Sequence, residues 1–321
     1  MDNLLVSIII VNWNAGKYLT DCITSLENQT YENFEIIMVD NNSSDNSVEF
    51  IEKNFPKVHI IKNKSNVGFA EGNNMGIKNS TGDIIALFNP DAKAERNWLS
   101  IIVSVLQSSE KIAAVSGKMY YMGDQYGKDA VFCTWPKIDQ YSAMAYNFHD
   151  HEPTSKVDYL TGGAMMVKKS VIDKIGLLDS DYFMYFEETD WCARMIRVGY
   201  DLIYTPDAIV WHIVSATISE SDKKIYFMER SRIRFALKNF DASFLPIFIS
   251  NILVESTIIF LRDIKNRSLS RSKIRLQAIC WNLFHLKDTI ENRKKDMSLL
   301  KKNGVIKSYN KSLPLRGLKI K

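Results

Sequence analysis

The sequence has few of the residues that build disulfide frameworks or metal clusters. Its 321 residues include four cysteines, at positions 22, 133, 192 and 280, and no two of them form a Cys-x-x-Cys pair. This spacing argues against a disulfide-stapled secreted domain and against a structural zinc site. The amino terminus has an acidic residue where a signal peptide would be basic, and its apolar run is only as long as a strand. We therefore expect a cytoplasmic protein.

Common nucleotide-binding fingerprints are also missing. The glycine-rich segment Asn66–Gly76 matches neither the Walker loop nor the Gly-x-Gly-x-x-Gly dinucleotide pattern. This argues against an ATPase and against a dehydrogenase. A glycine- and asparagine-rich loop that runs into a helix still suits a phosphate ligand, because glycine permits close backbone approach and a helix amino terminus offers unpaired N–H groups.

The sequence lacks an uninterrupted apolar run of membrane length. Phe244–Leu261 is rich in Ile, Leu and Phe, but Pro246, Asn251 and Glu255 interrupt it. That pattern predicts a packed or interfacial helix rather than a spanning one.

Positive charge is concentrated at the carboxyl end of the chain. Residues 262–321 contain 17 Lys and Arg against 4 Asp and Glu, although the net charge of the whole chain is only +4. Such a segment is either a solvated basic face or a surface for an anionic membrane, where each Lys or Arg contributes roughly 1 kcal/mol. Tight helix packing or dimerisation is the alternative to membrane docking. We expect no nucleic-acid partner.

The first hundred residues alternate β-branched runs with amphipathic stretches, which is typical of βαβ units and a mainly parallel sheet. The predicted strands are Val6–Val11, Phe34–Asp40, Val58–Lys62 and Ile84–Phe88. The predicted helices are Lys17–Asn28, Asp45–Asn54 and Phe69–Ser80. Polar residues follow each strand, and in open α/β sheets ligands bind at those carboxyl ends.

The rest of the chain is less regular. Tyr120–Lys156 has no clear helix or strand pattern, and we interpret it as an insertion on the acceptor side of the site. The other predicted elements are a helix at Trp98–Ser108, a strand at Ile112–Ser116, a strand at Lys156–Lys168 broken at Gly162-Gly163, a helix through Arg194–Val198, and strands at Leu202–Tyr204 and Ala208–Trp211. Helical sequence follows from about Asp222. We therefore expect an α/β domain at 1–240, a basic helical region at 241–302 and a mobile tail at 303–321.

Side chains at three strand ends suit a nucleotide ligand. Asn12 ends the first strand, and Asp40 and Asn42 end the second. The Asp40 carboxylate can accept a hydrogen bond from a base N–H or a ribose hydroxyl. Asp, Asn and Ser are equally typical of an ordinary strand-to-helix turn, so both interpretations stay open.

Asp91 lies in Asn89-Pro90-Asp91, after the fourth strand. If it lies beside a diphosphate it would need a divalent cation, because two anions otherwise repel. A surface turn is the alternative.

An acidic cluster with aromatic neighbours follows later, where Glu187, Glu188 and Asp190 open a helix. The helix dipole favours acids at that end, so a structural role for one or two of them is the alternative. Partial burial and like charge would raise a carboxylate pKa toward a value useful for a general base. His212 ends a strand, and a single histidine is more often a structural hydrogen-bonding residue than a ligand.

Together these stretches resemble family 2 of the glycosyltransferases, in the bacterial and archaeal branch that contains rhamnosyltransferases and galactofuranosyltransferases. The match runs from about Val6 to Asn239 and rests on VSIIIVNWN, IIMVDNNSSDNS, NVGFAEGNNMGIKNSTGD, LFNPD, LTGGAMMVKKSVIDKIGLLD, YFMYFEETDWCARMIRVGY and VWH. Single pieces are weak signals, but their order and spacing are specific.

The resemblance implies a GT-A fold, which is a Rossmann-like nucleotide-sugar-binding sheet flanked by helices, here with a helical carboxyl-terminal extension. It implies inverting transfer from a UDP- or dTDP-sugar, with rhamnose as one candidate, to an acceptor hydroxyl in cell-surface polysaccharide or glycan synthesis. The implied cofactor is Mg²⁺ or Mn²⁺. The expected partners are the donor, a glycan or lipid-linked acceptor, the inner face of the cell membrane and a second copy of the chain.

The resemblance also implies roles for individual residues. Glu188 stands where the family has its general base, and Glu187 is a second candidate. Asp91 and His212 would bind the metal. Donor binding is expected of Asn12, Asp40, Asn42, Asn66, Gly68, Asn74, Asn89 and Asp190.

The sequence departs from the family pattern in two places. The DxD motif is reduced to Asn89-Pro90-Asp91, which removes one carboxylate from the metal site. The base is a glutamate where an aspartate is expected, so its longer arm changes its reach. Two other classes of protein stay open: an inactive nucleotide-sugar-binding subunit of a polysaccharide complex, and a sugar nucleotidyltransferase, whose basic phosphate loop near the first strand is missing here.

Overall fold

The computed structural model describes residues 3–123, 130–148, 153–213, 222–304 and 306–312. Its strands are β1 (Val6–Asn12), β2 (Phe34–Asp40), β3 (His59–Lys62), β4 (Ile84–Phe88), β5 (Ala92–Ala94), β6 (Ile112–Tyr121), β7 (Val131–Cys133), β8 (Trp135–Ile138), β9 (Ala145–Phe148), β10 (Ser155–Lys156), β11 (Ala164–Lys168) and β12 (Asp201–His212). Its helices are α1 (Gly16–Glu27), α2 (Ser47–Asn54), α3 (Gly68–Lys78), α4 (Trp98–Gln107), α5 (Lys169–Ile175), α6 (Glu187–Arg197), α7 (Asp222–Asn239), α8 (Leu245–Lys265), α9 (Ser270–Phe284), α10 (Leu286–Asn303) and α11 (Tyr309–Ser312).

One large sheet organises the domain, in the order β10-β12-β6-β11-β4-β1-β2-β3, with β5 paired to β12 and β7 to β6. The parallel pairing of β1 with β2 and β4, and of β2 with β3, confirms the predicted βαβ units. The sheet is mixed rather than mainly parallel, because β11 runs antiparallel between β4 and β6. As a result β6 ends, and β11 begins, at the carboxyl edge of the parallel strands. The start of the predicted insertion, Tyr120, therefore lies at the edge where ligands bind, whereas its last residue, Lys156, pairs with Ile203 near the start of β12.

Apolar side chains on both faces of the sheet form the core. Side chains alternate along a strand, so Ile8 and Ile10 of β1 face one layer while Ile9 faces the other. The first layer contains α1, α2 and α4, with Trp98 fully buried. The second contains α3, α5, α6 and α7, with Trp191 at its centre. This two-sided burial explains why the strands read as continuous apolar runs.

In three places the strands differ from those predicted by more than one residue. β6 continues beyond Ser116 to Tyr121, and the predicted Lys156–Lys168 strand is divided into β10 and β11. The two predicted strands near residues 202 and 211 are one strand, β12, with a bulge between Thr205 and Ile209. Gly117 lies against the Ala208 carbonyl at this bulge, where a Cβ atom would have no room. The bulge is formed by the pairing of β12 with β6, which the local sequence does not show. The sequence therefore predicted two separate strands where the structure has one.

The carboxyl-terminal helices pack against α6 and α7. Within the described residues, α8 alone has the length and apolar composition to cross a membrane.

The expectation of a mobile tail at 303–321 is wrong for its described part. Tyr309 is fully buried and packs near Phe235, and Asn310 bonds the Asp241 N–H and the Gln140 carbonyl, each at 2.8 Å. These contacts are made by residues distant in sequence. Residues 313–321 lie outside the described residues.

Candidate active site

The ends of β1 and β2 hold Asp40 in a fixed orientation. Its Oδ1 accepts hydrogen bonds from Asn12 Nδ2 at 2.8 Å and the Ser43 hydroxyl at 2.6 Å, and its Oδ2 accepts the Ser43 N–H at 3.0 Å. Asn12 is fully buried and also donates to Ser47 Oγ at 2.9 Å. The structure therefore corrects the expectation that Asn12 binds donor: Asn12 orients Asp40, which stays a candidate.

An asparagine network joins this turn to the loop before α3. Asn41 is buried and donates to the Gly68 carbonyl at 3.0 Å and to Asn66 Oδ1 at 3.3 Å, while its Oδ1 accepts from Asn63 Nδ2 at 2.9 Å. Asn66 Oδ1 also accepts the Gly68 N–H at 2.9 Å. Asn42 is exposed and left-handed, with φ of 61°. The sequence did not single out Asn41, although the run of asparagines after a buried strand was a signal for it.

Two residues expected in the donor pocket have structural roles instead. Gly68 has φ of +85°, and a Cβ there would overlap the Phe183 carbonyl and ring. A glycine is therefore needed here to make room for Phe183. The Asn74 amide exchanges two hydrogen bonds with the Leu178 backbone, at 2.9 and 3.0 Å. Both predictions are corrected, because these residues pack α3 against the segment before α6.

Asp91 and His212 meet at the carboxyl edge, although 121 positions separate them. His212 Nε2 lies 3.0 Å from Asp91 Oδ1 and 3.1 Å from Asn89 Nδ2. Both Asp91 and His212 are 7% exposed. The chain brings them together because β5, which follows Asp91, pairs with β12, which ends at His212. All three sequence-predicted residues of this group are therefore adjacent.

The pair fits a divalent cation that is shared with a ligand. Neighbouring ligands of one octahedral ion, each about 2.1 Å from the metal, lie about 3 Å apart, as the Asp91 and His212 atoms do. Within the described part of the chain no group of three or more His, Cys, Asp or Glu is placed to hold a metal. Asp91 and His212 could supply two ligands, and a diphosphate would supply others. His212 Nδ1 is buried with no hydrogen-bond partner among the described residues.

The segment before Glu187 has a strained backbone. Phe183, Tyr185 and Phe186 all have positive φ, at 63°, 65° and 69°. Non-glycine residues in such conformations cost about 1–3 kcal/mol each and cluster at functional sites. The strain is held in place by packing, since Phe183 lies against Gly68 and stacks on Phe227 at 5.2 Å. This turn sets the direction in which α6 and its acids begin.

The two adjacent glutamates have different environments. Burial raises the pKa of Glu188 to about 7, although the N–H groups of Glu188, Thr189 and Gly162 favour the ionised form. Glu187 is only 4% exposed, and burial together with the charge of Glu188 raises its pKa well above the ordinary value. Each has a buried Oε2 with no hydrogen-bond partner among the described residues. Glu188 is the more exposed of the two and is poised to gain or lose a proton near neutral pH.

The dipeptide Gly162-Gly163 connects this acid to the candidate metal ligands. The Gly162 N–H bonds Glu188, and the Gly163 carbonyl accepts the Asn89 N–H at 2.9 Å. A Cβ on Gly162 would lie 3.3 Å from the Phe69 ring and 3.5 Å from Glu188 Cβ. The sequence marked this pair only as a strand break, although glycine inside a strand pattern also indicates close backbone approach.

Asp190, expected to bind donor, lies in a buried ion-pair network instead. Its carboxylate is fully buried and bonds Arg194 at 3.0 Å, Lys238 at 3.1 Å and Asn239 Nδ2 at 2.7 Å. Burial alone would raise its pKa, but Lys238 and Arg194 outweigh burial and lower it. With both oxygens bonded inside the protein, Asp190 ties α6 to α7, and the prediction is corrected.

Replacing Asp190 with asparagine is expected to lower the free energy of unfolding by about 3 kcal/mol, because the buried cations Arg194 and Lys238 lose a counter-charge. Lys238 would still pair with Asp179 at 2.7 Å and with Asp296 at 2.9 Å. The loss of unfolding free energy should therefore be at the low end of the range for broken buried ion pairs. Denaturant unfolding measures it, with the exposed Asp173→Asn as control. A loss equal to that of the control would contradict the anchoring role.

Comparison with known proteins identifies the family of the chain. The model of the family described as Glycosyl transferase family 2 matches residues 7–176, more than half of the chain. The chain belongs to glycosyl transferase family 2. Asp40, Asn89 and Asp91 lie inside the matched segment, whereas Glu188 and His212 lie beyond it.

Relatives of this family 2 chain carry glycosyltransferase names. An uncharacterised glycosyltransferase of Haemophilus influenzae is 37% identical over 64% of each chain. The N-acetylglucosaminyl-diphospho-decaprenol L-rhamnosyltransferase of Mycobacterium tuberculosis is 23% identical over 65% of this chain and 76% of the relative. The match thus spans just under two thirds of the Haemophilus protein.

The solved structure of GalNAc-T7 with UDP, GalNAc and Mn²⁺ has a TM-score of 0.62 at 14% identity, covering 89% of this chain and 57% of that one. At such identity the likeness shows the fold. The predicted fold class is confirmed: the family 2 domain is GT-A, with a helical carboxyl-terminal region.

Proposed function

We propose that the chain is an inverting glycosyltransferase that moves a sugar from a nucleoside-diphosphate donor to an acceptor hydroxyl. One observation carries the proposal. Gly162-Gly163 connects a candidate base with a pKa of about 7, Glu188, to the segment that contains the Asp91–His212 pair. A base and a site for diphosphate charge are the two groups that this displacement needs.

In the proposed reaction Glu188 takes the proton from the acceptor hydroxyl while that oxygen attacks the anomeric carbon. The bond from the anomeric carbon to the diphosphate oxygen breaks, and configuration inverts. Mg²⁺ or Mn²⁺, when bound by Asp91 and His212, would neutralise charge on the diphosphate. Asp40 would hold the nucleoside, with Asn42, Asn66 and Asn89 lining the donor site.

We propose a UDP- or dTDP-sugar as donor and a lipid-linked or glycan acceptor of cell-surface polysaccharide synthesis. Two similar proteins support this: one relative is an N-acetylglucosaminyl-diphospho-decaprenol L-rhamnosyltransferase, and one structural neighbour contains UDP. We also propose that the enzyme works on the inner face of the cell membrane.

A donor panel tests the proposed activity. The protein is incubated with UDP- and dTDP-sugars, and we measure thermal shift together with slow release of free nucleoside diphosphate. At least one donor should raise the melting temperature, because binding stabilises the native state, and should be hydrolysed. Donor binding without any hydrolysis or transfer would favour an inactive binding subunit, and consumption of NTP with sugar phosphate would favour a nucleotidyltransferase.

The rate of transfer is expected to rise with pH and to level off above about 7. Burial raises the pKa of Glu188 to about 7, so at lower pH the base is mostly protonated and cannot accept a proton. The logarithm of kcat/KM, which reports the free enzyme, should therefore climb with a slope of one below that value. A profile that stays flat across the neutral range would contradict Glu188 as the base.

A further inference from the structure

The outer side of α8 is apolar along most of its length. Eight large side chains on it are exposed by 45% to 63%: Ile247, Ile249, Leu253, Val254, Ile258, Phe260, Leu261 and Ile264. At 3.6 residues per turn they cover about half of the helix circumference. A continuous apolar patch of this kind on a protein surface marks a binding site for a partner or a membrane.

The neighbouring α9 extends this apolar surface. Leu269, Leu276 and Leu283 recur every seven residues and are exposed by 57%, 59% and 65%. We call these three leucines and the eight side chains of α8 the α8–α9 face. Near it lies the tip of the β8–β9 hairpin, where half-exposed Tyr141 stacks on Phe244 at 5.8 Å. The face therefore adjoins the insertion that we assign to the acceptor side.

Ion pairs on the inner side fix α8 along the protein surface. Glu255 pairs with Arg232 of α7 and with Arg275 of α9, both at 2.7 Å. Arg232 and Arg275 are 3% and 4% exposed, so separating them from Glu255 would leave two buried cations to share the one carboxylate of Glu229, at 3.1 and 2.9 Å. A spanning position would require that separation. The geometry is instead that of a helix that lies in the plane of a membrane interface.

Charges beside the face are of one sign. The exposed charged residues around the α8–α9 turn are Arg262, Lys265, Arg267, Arg271 and Lys273. The acid in the same stretch, Asp263, is buried and accepts hydrogen bonds from the Ser272 N–H and hydroxyl. Two copies of the face would bring like charges together, whereas an anionic surface complements them.

Two of these cations lie where they do not stabilise their own helix. Arg271 and Lys273 are in the first turn of α9, which contains no acid. The helix dipole disfavours positive charge at that end. Their position is therefore explained by a partner rather than by helix stability.

We infer that the α8–α9 face docks on an anionic lipid bilayer, with α8 in the interfacial plane and the basic turn against lipid headgroups. The inference deepens the proposed function, on which it rests for the lipid-linked acceptor. Membrane binding itself does not require turnover, so the two can fail separately.

Vesicle flotation of the full chain tests the inference, with vesicles of phosphatidylcholine alone and with phosphatidylglycerol added. The native chain should float with anionic vesicles. Leu253→Gln with Leu261→Gln should abolish flotation. Lys265→Gln, Arg271→Gln and Lys273→Gln should each weaken binding to anionic vesicles about fivefold. Phe50→Gln on α2, which removes an exposed apolar side chain outside the α8–α9 face, is the control and should float normally.

Absence of flotation with both kinds of vesicle would overturn the inference. So would a dimer seen by sedimentation that the Leu253→Gln, Leu261→Gln variant dissolves, because the face would then belong to a second copy. Circular dichroism confirms that each variant is folded, and all substituted side chains are exposed. Transfer to a soluble acceptor without flotation would overturn the docking alone, whereas flotation of a chain that transfers to no acceptor would overturn the proposed function alone.

Discussion

Replacing Glu188 with glutamine is expected to lower the rate of transfer about a hundredfold to ten-thousandfold, the range associated with general-base catalysis. Glutamine keeps the size of the side chain and can still accept the surrounding backbone N–H groups, but it cannot take a proton. Donor affinity should stay nearly unchanged, because the expected donor contacts come from residues at or after the ends of β2, β3 and β4. Single-turnover transfer and calorimetric donor titration separate the two effects.

Glu187→Gln is the matched control for that experiment. Burial and the charge of Glu188 raise the pKa of Glu187 well above the ordinary value, which favours its neutral form. A neutral amide therefore replaces a neutral acid of the same shape, and most activity should remain. If Glu187→Gln abolishes transfer and Glu188→Gln does not, the base is Glu187, the second candidate from the sequence.

Removing divalent cations with EDTA is expected to stop turnover, and Mn²⁺ or Mg²⁺ to restore it. Asp91 is the single carboxylate of the reduced motif. Without a cation between them, Asp91 and the donor diphosphate would repel each other, because both are anions. Asp91→Asn should raise the metal concentration needed for half-maximal activity by at least the roughly 10–100-fold seen for outer-shell changes. Metal-dependent quenching of a bound fluorescent nucleotide gives a readout besides turnover.

Asp21→Asn is the control for the metal experiment. Asp21 is an exposed carboxylate on α1, and its loss should leave the metal requirement unchanged. Full activity of the native chain in EDTA would show that Asp91 and His212 have another role. Their 3.0 Å contact would then be a hydrogen bond that pins β12 to the end of β4.

Much of the fold follows from local pattern. The runs that became β1, β2 and β4 are apolar because helices cover both faces of the sheet, and such runs can be recognised without knowing their neighbours. The antiparallel β11 could not be placed in this way, because strand direction depends on the path of the insertion. The burial of Tyr309 was missed for a related reason: its partners, Phe235 and Phe240, are about 70 positions away.

The candidate site divides along the same line. Glu188, Asp91 and His212 were predicted from residue type and from motif order, and they stay candidates. Asn12, Asn74 and Asp190 belong to the same motifs, yet their side chains bond within the protein. Gly68 belongs to them too, and a side chain there would overlap Phe183. A motif identifies residues that a family keeps, but it does not separate those that contact a ligand from those that hold the ligand-binding residues in place.

The sequence by itself determined the α/β class, the strand ends that carry polar residues and the basic carboxyl end, because periodicity and composition are local properties. Only the tertiary structure decided which acids have a raised pKa and which are ion-paired. Glu187 and Asp190 lie three positions apart on one helix, yet the pKa of the first is raised and that of the second is lowered. The difference comes from Lys238 and Arg194, which folding places beside Asp190 and not beside Glu187.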